Sequence, residues 1–362
     1  MALILTFLGK GGTGRTTLAI ASAKRFASQG QRVLLAGQDA GPGLGLLLGV
    51  PLSHNPQPVS PNFHAVLLQT APLVEQGWEE LKKLEAQYVR TPFFKDVYGQ
   101  ELGVLPGMDS LATMNAIRLY DAGGEYDVII YDGMASQETL RMLGAPEIMR
   151  WYVRRFRQVI ADSDLGKALS PFIQPVSAAV FNIDWSNNNF SEPIQQFDDL
   201  LSTATSAVTN PQRMIAYLVT TPDRIATATA RYLWGSSQQV GLTVGGVMVN
   251  QGVEGDIKED FTPLPVSVIP KMGDDWESVM AALPDFKAAS GVPAPITINT
   301  GERTVTLFLP GFDKKQIKLT QYGPEVTIEA GDQRRNILLP PGLSGKPVTG
   351  AKFQNNCLII SF

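Results

Sequence analysis

Residues 9–17 of the chain have the sequence GKGGTGRTT, and this stretch decides the fold. Its spacing is that of a phosphate-binding loop, G-x-x-x-x-G-K-[ST], with Arg15 at the position that usually holds lysine. An apolar run at 2–8 precedes the loop and a helical pattern follows from Thr16, which is the strand–turn–helix setting that such a loop requires. Arginine keeps the positive charge, but its planar fork is bulkier and prefers two-point contacts. The stretch therefore predicts nucleotide binding and leaves the efficiency of catalysis open.

Backbone and hydroxyl groups of this loop are the expected ligands of phosphate and metal. Glycines let backbone N–H groups turn towards a phosphate, and the N-terminus of the following helix adds a partial positive charge. Thr16 is expected to place its hydroxyl on Mg²⁺. The loop residues expected to bind nucleotide are Gly9, Gly11, Gly12, Thr13, Gly14, Arg15, Thr16 and Thr17.

Two aspartates follow apolar stretches further along the chain. Asp39 comes soon after the predicted strand 31–37, where a carboxylate can orient the water that attacks a γ-phosphate. Asp132 lies near the end of the apolar stretch 126–133, the usual place for a carboxylate that anchors Mg²⁺. Taken alone, Asp39 is better explained by an ordinary polar turn, and Asp132 alone is weak evidence for a metal site. In this order after the glycine loop, they predict a catalytic Asp39 and a metal-binding Asp132.

The rest of the first 285 residues predicts an α/β core. Apolar runs alternate with helical patterns, which is typical of a mostly parallel, doubly wound sheet with helices on both faces. Two long segments, about 53–100 and 145–212, interrupt the alternation and are predicted to be helical insertions. Their apolar faces either line a groove or pack against one another as the core of a subdomain. Further strands are expected at 214–221, 242–250 and 264–270.

The character of the sequence changes near residue 290. The stretch PDFKAASGVPAP at 284–295 is rich in proline and small residues, which predicts a linker. Short alternating runs without a helical pattern follow it and are typical of a small all-β domain. We therefore expect one domain over 1–285 and a β-sandwich over 296–362.

Composition excludes several classes of function. A net charge of −4 gives no global positive field for nucleic acid, so no nucleic-acid partner is expected. The single cysteine excludes internal disulfides and a zinc site of paired C-x-x-C type within the chain. With only two histidines, a histidine-based metal site or a Ser-His triad is not expected. There is no signal-peptide pattern and no apolar stretch of about 20 residues, so no integral membrane segment is expected. The expected location is the bacterial cytoplasm, or the plastid stroma if a transit peptide has been removed.

These motifs together resemble the arsenical-pump ATPase family of P-loop NTPases, which includes the eukaryotic ATPase that delivers tail-anchored membrane proteins. KGGTGRTT is similar to the family pattern K-G-G-V-G-K-T-T and places Lys10 at its signature lysine. QDAGP resembles the loop whose aspartate positions the attacking water, here Asp39. YDGMASQETLRML resembles the segment whose aspartate anchors Mg²⁺, here Asp132. VMVNQ is similar to a strand end whose asparagine contacts adenine, here Asn250.

The resemblance, which covers about residues 1–285, implies ATP and Mg²⁺ as cofactors and a homodimer that closes on nucleotide. Within that dimer Lys10 is expected to point towards the partner's phosphates and to act with Asp39 in catalysis. The helical insertions are expected to form a groove for hydrophobic protein segments, lined by residues of 145–156 and 165–181. The resemblance therefore implies a chaperone or targeting factor, and it leaves open whether the protein has a transient membrane receptor. The C-terminal stretches LPGFDKKQIKL and AKFQNNCLIISF resemble the α-crystallin domain of small heat-shock proteins.

Departures from the family pattern keep two alternatives open. Arg15 replaces the loop lysine, and the residues after Asp39 and Asp132 differ from those of the family, so hydrolysis is expected to be slow. A catalytically impaired, nucleotide-sensing scaffold is the first alternative. The second is a positioning ATPase of the MinD and ParA type, which predicts small insertions and a basic face or terminal amphipathic helix. With Cys357 as its one cysteine, the chain has no cysteine triad for arsenite and no zinc-clamping C-x-x-C pair.

Overall fold

The computed structural model describes residues 1–39, 41–88, 97–162, 191–252, 257–273, 275–286 and 291–362. Along the chain, most helices alternate with the strands of one large sheet, and the strands of two small antiparallel sheets come after them. The helices are α1 Arg15–Ser28, α2 Gly43–Leu48, α3 Thr70–Tyr88, α4 Met108–Gly123, α5 Ser136–Asp162, α6 Ser191–Thr209, α7 Arg224–Gln239, α8 Ile257–Asp260 and α9 Glu277–Ala282. Short 3-10 turns span Gly99–Glu101 and Lys314–Gln316.

The large sheet has eight strands in the order β3-β4-β2-β5-β1-β6-β7-β8, and every neighbouring pair is parallel except β3 and β4. This confirms the predicted mostly parallel, doubly wound sheet. The strands are β1 Leu3–Leu8, β2 Val33–Gly37, β3 Gln57–Ser60, β4 Phe63–Leu67, β5 Val128–Asp132, β6 Met214–Thr220, β7 Val244–Asn250 and β8 Val266–Ile269.

The core lies on both faces of this sheet. Alternate residues of one strand point to opposite faces: Ile129 and Tyr131 pack with the α4–α7 side, and Ile130 packs with α1, α2 and α9. Because both faces are covered, the central strands are continuous apolar runs, as parallel strands between two helical layers must be. The glycine loop therefore starts from a strand, β1, that is fixed from both sides.

The first predicted helical insertion was wrong in its first part. Residues 53–69 were expected to be helical, but β3 and β4 extend the sheet there and α3 begins only at Thr70. Strand β4 lies between two neighbours and is largely buried, so its sequence FHAVL is apolar except for His64 and shows no clear alternation. So short an apolar run cannot be assigned to a strand or a buried helix by periodicity. Pairing with distant β2 decides the outcome.

The second insertion is helical over 145–162 and 191–209, and a turn follows at 210–212. Helix α5 runs to Asp162 and contains Pro146, and α6 begins at Ser191. The candidate groove segment 165–181 lies outside the described residues. Helices α5 and α6 are joined by the ion pair between Arg150 and Asp198, at 3.3 Å. The partly buried apolar side chains of one cluster on α4, α5 and α6 are Leu111, Met114, Met149, Phe197 and Leu200.

The C-terminal residues form the expected all-β unit. Four strands pair antiparallel in the order β14-β15-β10-β9 and three more in the order β11-β12-β13, and apolar residues of both sheets share one core. A two-residue turn of Asn355 and Asn356, both with positive φ (52° and 58°), joins β14 to β15. The strands are β9 Ile296–Asn299, β10 Thr304–Phe308, β11 Ile317–Tyr322, β12 Glu325–Ala330, β13 Gln333–Leu338, β14 Gly350–Gln354 and β15 Cys357–Ser361.

The β-unit packs directly on helix α7 of the first domain. Buried Trp234 meets Phe308 edge to face, with ring centroids 5.4 Å apart. Gly235 approaches so closely that a Cβ there would lie 2.2 Å from the carbonyl oxygen of Pro310. The two domains are thus in van der Waals contact along one helix. None of the helices that the structure describes has the length and apolar character needed to cross a membrane.

Candidate functional site

The predicted site residues meet at the carboxyl edge of the large sheet. Strand β5 lies between β2 and β1, so the ends of these three strands are neighbours. The glycine loop follows β1, Asp39 lies two residues beyond β2, and Asp132 is the last residue of β5. Asn250 ends β7, two strands along from β1. Crevices at the carboxyl ends of parallel strands are where such sheets bind ligands.

The glycine loop has the backbone that phosphate binding requires. Gly12 and Gly14 take positive φ values of 85° and 94°, which favour glycine. At Gly9 a Cβ would lie 2.1 Å from the carbonyl oxygen of Val219, so only glycine fits. A Cβ added at Gly11 or Gly12 would meet nothing within 4 Å, so this side of the loop is open.

Helix α1 begins at Arg15, one residue earlier than predicted, and Gly14 is its N-cap. A glycine has no side chain to cap the helix, and the first turn, which includes Thr16 and Thr17, carries no acidic residue. No side chain therefore caps the amide groups at this end of the helix, where the positive end of the helix dipole lies. This is the arrangement that binds an anion at a helix N-terminus.

Asn250 supports the loop from β7. Its Nδ2 donates a hydrogen bond to the carbonyl oxygen of Thr13 at 2.9 Å, and its residue is 7 % exposed. The Thr13 hydroxyl in turn donates to the carbonyl oxygen of Lys10 at 2.8 Å. One N–H of the Asn250 amide is therefore committed to the loop, which places the rest of that amide beside the glycines.

Thr16 and Asp132 form the most specific contact of the site. The Thr16 hydroxyl donates to Asp132 Oδ2 at 2.7 Å across 116 residues of sequence. Asp132 is 8 % exposed, and this burial raises the pKa of its carboxyl, against the lowering effects of the Thr16 hydrogen bond and the Arg15 charge. A buried carboxylate and a hydroxyl are hard oxygen donors, the type that Mg²⁺ prefers. The pair fits a magnesium ion, whose charge would offset the cost of burying the carboxylate.

Arg15 does not point over the glycine loop. Its guanidinium donates hydrogen bonds to the carbonyl oxygens of Met134, at 2.5 Å from Nη2, and of Gly133, at 3.2 Å from Nη1. A longer contact of 3.4 Å joins Nη1 to the Ser136 hydroxyl. The planar fork thus makes the two-point contact expected of arginine, but with the loop after β5. For Arg15 to contact a phosphate, these bonds must first be exchanged.

Ser136 is a site residue that the sequence analysis missed. Its hydroxyl accepts a hydrogen bond from the Gly9 amide at 3.0 Å and donates one to the Gly9 carbonyl oxygen at 2.9 Å. It thereby joins the first residue of α5 to the first residue of the glycine loop. The signal available was a serine four residues after Asp132, at the start of a helical pattern.

Asp39 and Lys10 lie on the exposed rim of the site. Asp39 Oδ1 accepts a hydrogen bond from the Gly41 amide at 2.9 Å, and its charge adds to the raised pKa of Asp132. Lys10 is exposed, and its charge reaches Asp223, the N-cap of α7. Hydrogen bonds from Thr221 and from two backbone amides, followed by the Lys10 charge, lower the pKa of Asp223. Asp223 was not predicted as a neighbour of Lys10.

The comparison with protein families agrees with this geometry. Residues 2–265 match the family described as "Anion-transporting ATPase". The chain belongs to this ATPase family. Residues 300–362 match a second description, "HSP20-like domain found in ArsA". The confirmed resemblance thus includes both the nucleotide-binding domain and the β-unit.

Two of the relatives are similar to this chain over 99% of its length, and a third over 67%. A protein of Chlorobaculum tepidum named arsenical pump-driving ATPase is 26% identical over 387 residues, covering 99% of this chain and 95% of its own. An Aquifex aeolicus protein of the same name, numbered 1, is 19% identical over 397 residues, which cover 99% of this chain and 99% of its own length. A Babesia bovis protein named "ATPase ASNA1 homolog" is 23% identical over 245 residues, with 67% of this chain and 64% of its own covered.

Proposed function

We propose that this ATPase-family protein is a dimeric, ATP-hydrolysing chaperone or targeting factor that holds hydrophobic protein segments in a helical groove controlled by nucleotide. The observation that carries the nucleotide part is the Thr16–Asp132 hydrogen bond of 2.7 Å beside an open, glycine-capped helix N-terminus. That combination supplies metal ligands and phosphate donors at one point of the sheet edge.

The site residues take the following proposed roles. Thr16 and Asp132 hold Mg²⁺, which when bound neutralises charge developing on the transferred phosphoryl group. The loop amides bind the phosphates, and Asn250 contacts the base with the part of its amide not used by Thr13. Asp39, exposed at the end of β2, orients the attacking water. Lys10 reaches the phosphates of a second copy, as a positive charge supplied in trans.

Slow turnover is part of the proposal. Arg15 has to leave its hydrogen-bond partners Gly133, Met134 and Ser136 before it can reach a phosphate. Each of these bonds has a charged donor, so giving them up costs free energy. That cost disfavours the arrangement in which Arg15 contacts a phosphate. The resulting ATPase binds nucleotide well and hydrolyses it slowly.

The client-binding part rests on the apolar cluster of α4, α5 and α6. Partly buried Met114, Met149 and Phe197 pack together there, and methionine-rich surfaces adapt to varied partners. Ile148 and Tyr152 on α5 are 38% and 53% exposed and line a cavity with residues of the β-unit, so α5 also carries exposed apolar surface on its side towards that unit.

A second function is favoured by one observation. Because Arg15 is held by Gly133 and Met134, nucleotide could act as a static clamp in a scaffold that senses ATP without hydrolysing it. The positioning-ATPase alternative is less well supported, since the insertions contain α3 of 19 residues and α6 of 19 residues.

We further propose that the nucleotide-binding domain extends to residue 285 and that the protein works in the bacterial cytoplasm. The domain reaches at least this far, since the ring of Phe286, the next residue, packs on Phe26 and Tyr217 of the first domain, with centroids 5.5 and 4.8 Å apart. The bacterial relatives support the location.

The test is ATP binding and steady-state turnover by the purified protein and three variants. We expect Mg²⁺-dependent turnover in the wild type, a loss of about a hundredfold or more in Asp39→Asn with binding retained, and loss of the Mg²⁺ dependence in Asp132→Asn. Asp260→Asn is the matched control, because Asp260 is paired with Arg231 on the surface of α8. Turnover that survives Asp39→Asn would contradict the assigned chemistry, and tight binding without turnover would favour the scaffold.

A further inference from the structure

Helix α5 connects the nucleotide site with the C-terminal domain. Its first residue, Ser136, holds both backbone groups of Gly9, and the Arg15 fork holds the loop just before it. Its later turns carry Met149 of the apolar cluster and Arg150, which pairs with α6. One helix therefore joins the phosphate loop to the surface proposed to bind clients.

The same helix is held by one hairpin of the C-terminal domain. Arg141 forms an ion pair with Asp332 in the turn between β12 and β13. Further along α5, the Trp151 indole donates to Glu325 Oε2 at 2.9 Å, and Arg154 donates to Glu325 Oε1 at 2.5 and 3.1 Å. The Glu325 side chain is 12% exposed, so it is largely enclosed by these partners. Both contacts belong to the β12–β13 hairpin.

Between these two contacts lies Pro146, the proline inside α5. Proline has no N–H for the helical hydrogen bond, and its ring crowds the carbonyl group four residues earlier, so a helix bends most easily there. Arg141 lies five residues before Pro146, and Trp151 and Arg154 lie five and eight residues after it. The hairpin therefore spans about 20 Å of α5 and holds both sides of its weakest point.

The hairpin is itself fixed to a second helix, so it is not free to follow α5. The Asp332 amide donates to the Tyr232 hydroxyl of α7 at 3.1 Å. Arg335, 6% exposed, donates from Nη1 to the Gln238 carbonyl oxygen at the end of α7 at 3.1 Å, and its Nε lies 3.6 Å from Glu147 of α5. A rigid support anchored on α7 thus meets α5 on both sides of the proline.

We propose that the C-terminal β-domain is a splint for α5, which keeps the two halves of the helix aligned across Pro146 so that changes at the Ser136 end reach the apolar cluster. This inference rests on the proposed nucleotide-controlled groove. Energetic coupling between distant sites needs rigid elements with two arrangements, and an unsupported proline would absorb a displacement by bending. Ser136 is then a positioning residue, acting through the glycine loop.

The experiment measures amide hydrogen exchange over 147–155 and 197–208, with and without ATP and Mg²⁺, while ATP affinity is measured in parallel. The splint variant combines Glu325→Gln with Asp332→Asn, and a second variant adds Pro146→Ala to restore the helical hydrogen bond. Lys318→Gln is the matched control, because it removes an ion pair to Glu329 inside the β-sheet that does not involve α5. Exchange over β10 reports whether the domain stays docked.

We expect an ATP-dependent change in the wild type and the control, a decrease of that change by about fivefold or more in the splint variant with ATP still bound, and its recovery on adding Pro146→Ala. The inference is overturned if the splint variant keeps the full change, if Pro146→Ala restores nothing, or if ATP binds the wild type without any change over α5. A wild type that binds no ATP overturns the proposed function itself.

Discussion

Replacing Arg15 by lysine is expected to move two measurable quantities in opposite directions. The guanidinium makes one short bond of 2.5 Å and one of 3.2 Å with the loop after β5, and a longer contact of 3.4 Å with Ser136 at the start of α5. Bonds from a charged donor contribute about 1.5–3 kcal/mol each when well formed, and less when long or partly exposed. A lysine ammonium keeps the charge, but it is a compact group without the planar fork, so it does not reproduce the contacts that Nη1 and Nη2 make together. The variant therefore loses about 1 kcal/mol of folding free energy.

The same bonds oppose ATP, because Arg15 must give them up to contact a phosphate. Removing that cost is expected to tighten binding of ATP with Mg²⁺ by roughly 1 kcal/mol, which is about fivefold in Kd. Thermal unfolding without ligand and calorimetric titration with ATP measure the two effects. The Arg15→Lys protein should unfold at a lower temperature and bind ATP more tightly. Turnover should rise as well.

Arg25 provides a matched control on the same helix. Its guanidinium also donates to two backbone carbonyl groups, those of Leu283 at 2.7 Å and of Pro284, and it lies over the Phe286 ring. Arg25→Lys should lower stability without changing ATP affinity, since this contact is remote from the glycine loop. If Arg15→Lys instead weakens ATP binding, or leaves both the unfolding temperature and the ATP affinity unchanged, the argument that the Arg15 hydrogen bonds oppose ATP binding is refuted.

Three further predictions concern other residues. Burial raises the pKa of Asp132, so the folded protein binds the carboxyl proton more tightly than the unfolded chain does, and stability is lost as pH rises above about 4. Asp132→Asn should therefore raise the unfolding temperature measured without ligand at pH 7. The same variant should lower the affinity for ATP with Mg²⁺ at least about tenfold. Gly14→Ala puts a Cβ 2.2 Å from Asn250 Nδ2 at a φ of 94°, and should cost about 2–3 kcal/mol in denaturant unfolding. Hydrogen bonds from Arg32 lower the pKa of Asp127 to about 2, so this ion pair stabilises the folded protein above about pH 4, and the effect is lost as pH falls towards 2. Because the pair is exposed, its contribution should be below about 1 kcal/mol. Acid unfolding of Asp127→Asn compared with the wild type measures it.

The contacts between the two domains differ in what they contribute. The Arg141–Asp332 pair is 58–60% exposed, and such a pair contributes at most about 1 kcal/mol. The buried ring pair of Trp234 and Phe308 contributes more, since aromatic contact adds to the burial of apolar area. The aromatic contact therefore holds the domains together and the polar contacts set their alignment. For this reason the splint variants should change coupling while the domain remains docked.

The glycine loop and Asp132 could be predicted because their signals are local. A short apolar strand, a run of glycines with threonines and a helical pattern are adjacent in the sequence, and an aspartate at a strand end needs no distant partner to be recognised. The order of these elements then determined the sheet type. The same holds for the C-terminal strands, whose alternation is a short-range pattern.

What could not be predicted depends on long-range pairing. The Arg15 side chain and the Ser136 hydroxyl find partners 119 and 127 residues away, Met134 and Gly9 respectively. Strand β4 was mistaken for helix because only its pairing with β2 distinguishes a buried strand from a buried helix. Gly235 gave no sign of a domain contact, since a glycine inside a helical pattern does not show which backbone approaches it.

The most direct test of the nucleotide site is a calorimetric titration of the wild type and Asp132→Asn with ATP, each with and without Mg²⁺. If Thr16 and Asp132 form the metal site of an ATP-binding loop, Mg²⁺ should tighten ATP binding to the wild type and have little effect on the variant. Equal Mg²⁺ dependence in both proteins, or no ATP binding by the wild type, would contradict the account.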